Sequence, residues 1–172
     1  KLVSIENTVN KAGGSYYSLK QMQELSAVCK KHGLLMHLDG ARIFNAITEA
    51  DYSPVQLGPL FDSISICLSK GLGAPAGSVL LGSKEFIKEA RRARKVFGGG
   101  MRQAGFIAAA GIYALDNNVK RIKEDHQRAA TLGKAVSALP YVKEVLPVET
   151  NIIIFTLHDA IPVDYFMQQL SD

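Results

Sequence analysis

The stretch that decides the fold of this chain is Asp62-Ser63-Ile64-Ser65-Ile66-Cys67-Leu68-Ser69-Lys70-Gly71-Leu72-Gly73-Ala74-Pro75. Isoleucine and leucine alternate with small residues up to Leu68, which is the pattern of a buried strand. The glycines and the proline that follow end the strand and do not start a helix. We therefore expect Lys70 on a tight loop at the carboxyl end of a sheet strand, where open α/β sheets bind ligands.

A lysine at this position has two interpretations. Most lysines are exposed, so Lys70 could simply extend into solvent. Alternatively it is a Schiff-base lysine. A lysine amine becomes a usable nucleophile when desolvation or a cationic neighbour lowers its pKa, and pyridoxal phosphate (PLP) enzymes attach their cofactor through such an amine. One lysine does not decide between these interpretations, so the preceding strand has to be considered.

The preceding strand ends in a carboxylate. Residues 2–5, 19–32 and 34–38 follow the order strand, helix, strand, which predicts parallel neighbours joined by a right-handed crossover. Asp39 comes next and is a possible N-cap of a helix running to about residue 50, with Arg42 three residues on along the same face. A buried carboxylate can also keep a pyridine nitrogen protonated. Carboxylate and guanidinium would then face the loop that carries Lys70.

The remaining segments complete an α/β fold. Residues 78–82 form a fourth strand that should run antiparallel, because its connection is too short for a crossover. Helices are expected at 84–96, with Ser83 as the cap and Phe86, Ile87, Ala90 and Ala93 inward, and at 101–117 and 119–139. Beyond Pro140, strands at 141–145 and 151–157 and a helix at 163–170 suggest a separate layer. The predicted domains are 1–140 and 141–172.

Composition excludes several classes of protein. A hydrophobic fraction of 47% with 21% charged residues suits a folded core and not a disordered chain. There is no apolar run of membrane-spanning length and no signal-peptide pattern, so no membrane partner is expected. Cys29 and Cys67 are expected to be buried free thiols in a reducing cytoplasm. The chain starts without methionine directly in a strand, which suggests an internal piece of a longer protein.

Basic residues are concentrated in one region. The cluster consists of Lys84, Lys88, Arg91, Arg92, Arg94, Lys95 and Arg102. Such clusters are most often solvated helix faces, and no interleaved aromatic residues or nucleic-acid motif accompany this one. No nucleic-acid partner is therefore expected; a phosphate- or RNA-binding module, the alternative, would bind with steep salt dependence.

Three motifs resemble the low-specificity L-threonine aldolases, PLP enzymes of the aspartate-aminotransferase-like fold type I. They are His37-Leu38-Asp39-Gly40-Ala41-Arg42-Ile43-Phe44-Asn45-Ala46, Leu68-Ser69-Lys70-Gly71-Leu72-Gly73-Ala74-Pro75-Ala76-Gly77-Ser78 and Gly98-Gly99-Gly100-Met101-Arg102-Gln103. The likeness runs in register from residue 6 to about residue 151. It implies the second half of the PLP-binding large domain, a mostly parallel sheet flanked by helices, plus the start of a small C-terminal α+β domain.

The resemblance also implies roles for particular residues. Lys70 would form the internal aldimine with PLP, and Asp39 would face the pyridine nitrogen; these two are the expected catalytic residues. Arg42 would lie beside the phenolic oxygen of the cofactor, and Ser69 would bind its phosphate.

Two further cations are implied on the phosphate side of the site. Arg102 and Lys95 would serve an active site built at the interface of a homo-oligomer, a dimer or tetramer. The family's glycine-containing phosphate loop and ring-stacking histidine would lie upstream of Lys1, and its carboxylate-binding arginine beyond Asp172. Val9 stands where many members have histidine.

The implied reaction is a retro-aldol cleavage of L-threonine or L-allo-threonine to glycine and acetaldehyde through an external aldimine. The base for the β-hydroxyl proton is not assigned; His37, on the same strand face as Asp39, is as compatible with a structural role. The alternatives are a related β-eliminating lyase, a phenylserine aldolase, or an inactive PLP-domain fragment.

Overall fold

The computed structural model describes residues 1–171, and its centre is a four-stranded mixed sheet. The strands, in spatial as well as chain order, are β1 (Leu2–Glu6), β2 (Leu35–Asp39), β3 (Ser63–Cys67) and β4 (Ser78–Gly82). β1, β2 and β3 are parallel, and β4 runs antiparallel to β3. The predicted α/β class and the reversed direction of the fourth strand are both confirmed.

The pairing register separates an apolar face of the sheet from a polar one. Leu38 pairs with Ile64, and Ile64 with Leu81, on the apolar face. His37 pairs with Ser63, and Asp39 with Ser65, on the polar face. Because side chains alternate along a strand, a slip of one residue would exchange these two sets. Burial of the apolar face therefore fixes which side chains accompany Asp39.

Helices from both crossover connections cover the apolar face. They are α1 (Leu19–Lys31), α2 (Ile43–Glu49) and α3 (Pro54–Leu57). The buried core between helices and sheet consists of Met22, Leu38, Ile43, Ala46, Tyr52 and Leu57. Ser18 caps α1 as predicted, since its hydroxyl accepts from the amide of Gln21 and the Gln21 side chain accepts from the amide of Ser18.

The interpretation of Asp39 as a helix N-cap is wrong. α2 begins at Ile43, and Arg42 is its N-cap residue. The reason is a non-local bond: the amide of Gly40 donates to the carbonyl of Ser65 at 2.8 Å, so the chain is still bound to β3 one residue after Asp39. A side chain at position 40 would place its Cβ 2.9 Å from that carbonyl, which explains the glycine.

Three longer helices follow β4: α4 (Lys84–Val96), α5 (Gly105–Asn117) and α6 (Ile122–Ser137). α4 has the predicted bounds and the predicted Ser83 cap, whose hydroxyl accepts from the amide of Phe86 at 3.1 Å. α5 begins later than expected because Gln103 has a φ of 50°, a left-handed conformation that a right-handed helix excludes.

The inward face predicted for α4 is not buried. Phe86 and Ala93 are exposed, while Ile87 and Ala90 are half-buried, so no residue of this helix reaches the core. The expectation for Cys67 is also wrong, because this thiol lies half-buried on the polar face of the sheet. Cys29 is buried as expected, and both thiols are free.

The C-terminal segment forms a two-stranded antiparallel sheet, β5 (Val142–Val145) and β6 (Phe155–Leu157), followed by α7 (Val163–Gln169). The ring of Phe166 lies 5.8 Å from that of Tyr141 and 6.0 Å from that of Phe155. The division at residues 1–140 and 141–172 stays a prediction, and Asp172 lies outside the described residues. Within residues 1–171 no helix is long and apolar enough to span a membrane.

A buried polar network joins the C-terminal segment to the sheet domain. Asn45 of α2 donates through Nδ2 to Nε2 of His126 and to Oδ1 of Asn151, both at 3.0 Å. Because Nε2 of His126 accepts, Nδ1 carries the proton and donates to the Glu49 carboxylate. His126 is 6% exposed, so its ring nitrogens rely on these partners and not on water.

We expect His126→Ala to lower the free energy of unfolding by about 2–4 kcal/mol, since it opens a cavity and leaves Asn45 and Glu49 without their partner. Urea denaturation followed by circular dichroism measures the loss. Arg128→Ala on the same helix, which removes only exposed ion pairs with Glu124 and Asp125, should cost less than about 1 kcal/mol. Equal losses for both variants would contradict the role of the network.

A second buried polar contact joins the residue after β1 to the segment that precedes α3. The amide of Asn7 donates through Nδ2 to the Tyr52 hydroxyl at 3.0 Å. Burial raises the pKa of the Tyr52 hydroxyl above its ordinary value; the bond from Asn7 acts in the opposite direction, and Tyr16 adds to the rise. Because the folded state holds this proton more tightly than the unfolded chain does, folding is weakened once the pH exceeds the unfolded value of about 10.

The free energy of unfolding should accordingly fall more steeply above about pH 10 in the native chain than in Tyr52→Phe, which has no hydroxyl to ionise. Urea titrations at several pH values between neutrality and the alkaline limit measure this difference. Tyr165→Phe is the matched control, because it removes a tyrosine that is 59% exposed and should leave the alkaline loss in place. Parallel curves for Tyr52→Phe and the native chain would rule out the predicted titration.

Candidate active site

The candidate site lies at the edge of the sheet where β1, β2 and β3 all end. Asp39 closes β2 and pairs with Glu6 on one side and Ser65 on the other. The amide of Asn7 donates to the carbonyl of Asp39 at 2.9 Å, which continues the β1–β2 pairing past the last strand residue. The backbone carrying Asp39 is therefore bound to both neighbouring strands.

The Asp39 carboxylate is half-buried and its orientation is set by its own turn. Oδ1 accepts from the amide of Ala41 at 3.0 Å, and within residues 1–171 no protein group donates to Oδ2. Arg42 is also half-buried and lies at the start of α2, between Asp39 and the helix. One carboxylate oxygen is thus available for a further donor at this edge.

Lys70 lies on a closed loop that follows β3. The amide of Gly73 donates to the carbonyl of Lys70 at 2.8 Å, and the amide of Ala74 donates to that of Leu68 at 3.0 Å. Gly73 has a φ of 74°, which glycine adopts without strain. Lys70 and Ser69 are exposed. Residues 1–171 hold Lys70 on a well-defined loop, but they do not bury its amine.

The far side of this loop is fixed in a second core. Leu72 is 3% exposed and packs with Leu68, Ala74, Ala114 and Ile122. The amide side chain of Asn118 donates to the carbonyl of Leu72 at 2.7 Å. A Cβ at Gly111 would lie 2.8 Å from Cδ1 of Leu68, so α5 passes close to the loop at this glycine. The small residues of α5 serve this close approach at Gly111 and Ala114, whereas Ala108 and Ala109 are exposed.

His37 lies behind Asp39 on the polar face of the sheet. Its Nδ1 is 2.8 Å from the hydroxyl of Ser63, and its Nε2 is 3.5 Å from that of Ser65. The predicted sharing of one strand face with Asp39 agrees with the register. Since both ring nitrogens face serine hydroxyls of β3, the geometry favours the structural role for His37.

Lys95 and Arg102 lie in α4 and in the segment that follows it. Lys95 is in the last turn of α4, and its side chain folds over Gly100, where an added Cβ would lie 2.6 Å from Cδ of the lysine. Arg102 is exposed in the segment between α4 and α5. Among residues 1–171, neither cation forms a hydrogen bond or ion pair with Asp39 or Lys70.

Sequence reasoning missed several polar residues around the edge. Asn7 and Thr8 are fully buried, and Oδ1 of Asn7 and Oγ1 of Thr8 have no hydrogen-bond partner within residues 1–171. Their position directly after β1 was the available signal. Asn118 separates the helices predicted at 101–117 and 119–139, and Asn45 lies within one of the three motifs, but neither position predicts a contact near the lysine loop. Asn45 lies close to the lysine loop, since its Oδ1 is 3.7 Å from where a Cβ on Gly71 would be.

The residues present fit PLP. The edge offers a primary amine on Lys70, a carboxylate on Asp39 with one free oxygen, and a guanidinium on Arg42. An amine is the group that bonds to an aldehyde cofactor, and a carboxylate is the partner of a protonated pyridine nitrogen. Asp39 ends β2 and Arg42 follows it, while Lys70 follows the adjacent strand β3 at the same edge of the sheet.

Several known proteins are similar to this chain in sequence. The chain is 48% identical over 134 residues to the low specificity L-threonine aldolase of Escherichia coli K12, a match covering 78% of this chain and 39% of the relative. It is 39% identical over 161 residues to low-specificity L-threonine aldolase 1 of Arabidopsis thaliana, covering 93% of this chain and 45% of the relative. The chain thus spans about two fifths of the length of these relatives.

The fold has a counterpart among solved structures. The threonine aldolase of Leishmania major superposes with a TM-score of 0.80 at 25% identity, covering 99% of this chain and 49% of that one. The family described as "Beta-eliminating lyase" matches residues 1–160. With nearly all of its described length matched, this chain belongs to the beta-eliminating lyase family.

Proposed function

We propose that this chain provides the lysine-bearing part of a PLP-dependent aldolase that cleaves L-threonine or L-allo-threonine to glycine and acetaldehyde. The observation that carries the proposal is the position of Lys70: it follows β3 at the same sheet edge where Asp39 ends β2. The identity of 48% to the E. coli low specificity L-threonine aldolase supports this choice of reaction.

When bound, PLP supplies an electron sink for the electron pair released as the bond between the α- and β-carbons breaks. Lys70 offers the amine through which the cofactor is held. The backbone of its loop is fixed by the packing of Leu72 and by the hydrogen bond from Asn118. Asp39 would hold the proton on the pyridine nitrogen, and its orientation is set by the amide of Ala41. Arg42 and Ser69 supply a cation and a hydroxyl for the phenolic oxygen and the phosphate.

The proposal includes a homo-oligomer, dimer or tetramer, in which Arg102 and Lys95 serve the phosphate side of a partner subunit's site. Both side chains are exposed, which suits this arrangement. The apolar surface near them also suits an interface, since Phe97 is 89% exposed and Phe106 is 90% exposed. A cytoplasmic location is proposed from the free thiols Cys29 and Cys67.

A second candidate is β-elimination, the reaction named in the description of the matching family. The two reactions give different products from threonine. Cleavage between the α- and β-carbons gives glycine and acetaldehyde, whereas elimination of water followed by hydrolysis gives 2-oxobutanoate and ammonia. Assays for acetaldehyde and for ammonia on the same sample separate the two candidates.

The first test is covalent capture of the cofactor on the purified chain. PLP is added, borohydride reduces any lysine–cofactor bond to a stable amine, and peptide mass mapping locates the adducts. We expect one dominant adduct on Lys70. Asp39→Asn should weaken this adduct roughly tenfold, as expected for the loss of a charged hydrogen-bond partner.

Asp164→Asn, which removes an exposed carboxylate in the first turn of α7, is the control and should leave the Lys70 adduct unchanged. Circular dichroism establishes that each sample is folded before labelling. Labelling spread evenly over the surface lysines of the folded chain would remove the PLP proposal.

A further inference from the structure

We propose that Asn118 is a positioning residue for Lys70: its side-chain amide fixes the loop that aims the lysine amine along the sheet edge toward Asp39. This inference rests on the proposed role of Lys70. It concerns a residue that contacts neither the lysine side chain nor the carboxylate, and that acts through the backbone of the loop.

The loop contains two internal turns, and the bond from Asn118 lies between them. The carbonyls of Leu68 and Lys70 are satisfied within the loop, by the amides of Ala74 and Gly73. The carbonyl of Leu72 points away from these turns and accepts from Nδ2 of Asn118 at 2.7 Å. Across the described residues, this is the one side-chain hydrogen bond between the loop backbone and another element.

The donor is itself held firmly. The amide of Asn118 donates to the carbonyl of Ala114 at 2.9 Å at the end of α5, and its carbonyl accepts from the amide of Arg121 at 3.0 Å. Asn118 is half-buried, so water competes weakly for its side chain. Because two backbone hydrogen bonds fix Asn118 at the end of α5, its side-chain bond holds the loop in a defined position relative to that helix.

Apolar packing alone does not set the direction of the loop. Leu68, Leu72 and Ala74 anchor it in the core with Ala114 and Ile122, but apolar contacts are non-directional and leave the peptide that follows Leu72 free to tilt. The bond from Asn118 to the carbonyl of the same residue removes that freedom, since it fixes the plane of the following peptide. Lys70 lies two residues before this anchored point and is exposed. Its amine is therefore directed by the backbone beneath it, as a reacting group has to be.

The chain contains a matched control in the adjacent residue. Asn117 has the same side chain and the same location at the end of α5, but its Nδ2 donates to the carbonyl of Tyr113, inside its own helix, at 2.9 Å. It is exposed and does not contact the loop. Asn117→Ala therefore removes an asparagine hydrogen bond from the same helix without touching Lys70.

The test compares Asn118→Ala and Asn118→Asp with Asn117→Ala, all at a temperature where each variant is folded by circular dichroism. Asn118→Asp keeps the shape but replaces the donor by an acceptor. Two quantities are measured: amide hydrogen exchange in peptides covering residues 68–74, and the share of PLP–borohydride label on Lys70 as a function of pH.

In both Asn118 variants we expect exchange in the loop to rise and the Lys70 share of the label to fall by about fivefold, the effect of one hydrogen bond. The fall in the Lys70 share should be seen at every pH at which the labelling is measured. Asn117→Ala should change neither quantity.

Three results would overturn the inference. Faster loop exchange with an unchanged Lys70 share and pH profile would leave Asn118 a purely structural residue, while the cofactor role of Lys70 stands. Unchanged exchange and labelling would show that the bond does not hold the loop. Absence of Lys70-selective labelling in the native chain would remove the proposed function and this inference with it.

Discussion

The structure depends on the parallel pairing of β2 with β3. Parallel strands begin at one edge of a sheet and end at the other, so residues that follow them are neighbours in space although a helical crossover separates them in sequence. Here the pairing of Asp39 with Ser65 extends through the bond from Gly40 to the carbonyl of Ser65. This additional bond delays the start of α2. The parallel pairing places the Asp39 carboxylate and the Lys70 loop at the same edge of the sheet.

Within residues 1–171 the two faces of the sheet differ in the residues that cover them, and this difference explains the composition of the sheet. The helices of both crossovers pack on the face that contains Leu38 and Ile64. The opposite face carries serine, histidine and aspartate side chains, with the paired Leu2 and Leu35 exposed at its far end. Exposed apolar residues next to a polar face mark surfaces that further protein covers. Leu2, at 58% exposure, and Leu35, at 55%, are residues of this kind.

Local signals in the sequence predicted much of the fold, and the error that matters most for the site has a non-local cause. The cap at Ser83, the bounds of α4 and the antiparallel β4 follow from neighbours a few residues away. The helix start after Asp39 was mispredicted because a bond to β3 overrides the local capping preference. Motif resemblance predicted Lys70 and Asp39, but the contacts of Asn118 with Leu72 and of Asn45 with His126 join residues 46 and 81 positions apart. No periodicity or spacing encodes such contacts.

The ties between the C-terminal segment and the sheet domain bear on how the chain folds. Oγ1 of the buried Thr150 donates to the carbonyl of Gly14 at 2.8 Å across 136 residues of sequence, and Asn45 bonds Asn151 across 106. Closing so long a segment lowers the conformational entropy of the chain before the contact stabilises the fold. Such a contact therefore forms slowly and late. During synthesis the loop after β1 would emerge long before its partner. The carbonyl of Gly14 cannot accept this bond until residue 150 has been synthesised, so the C-terminal segment docks onto a sheet whose strands are already present.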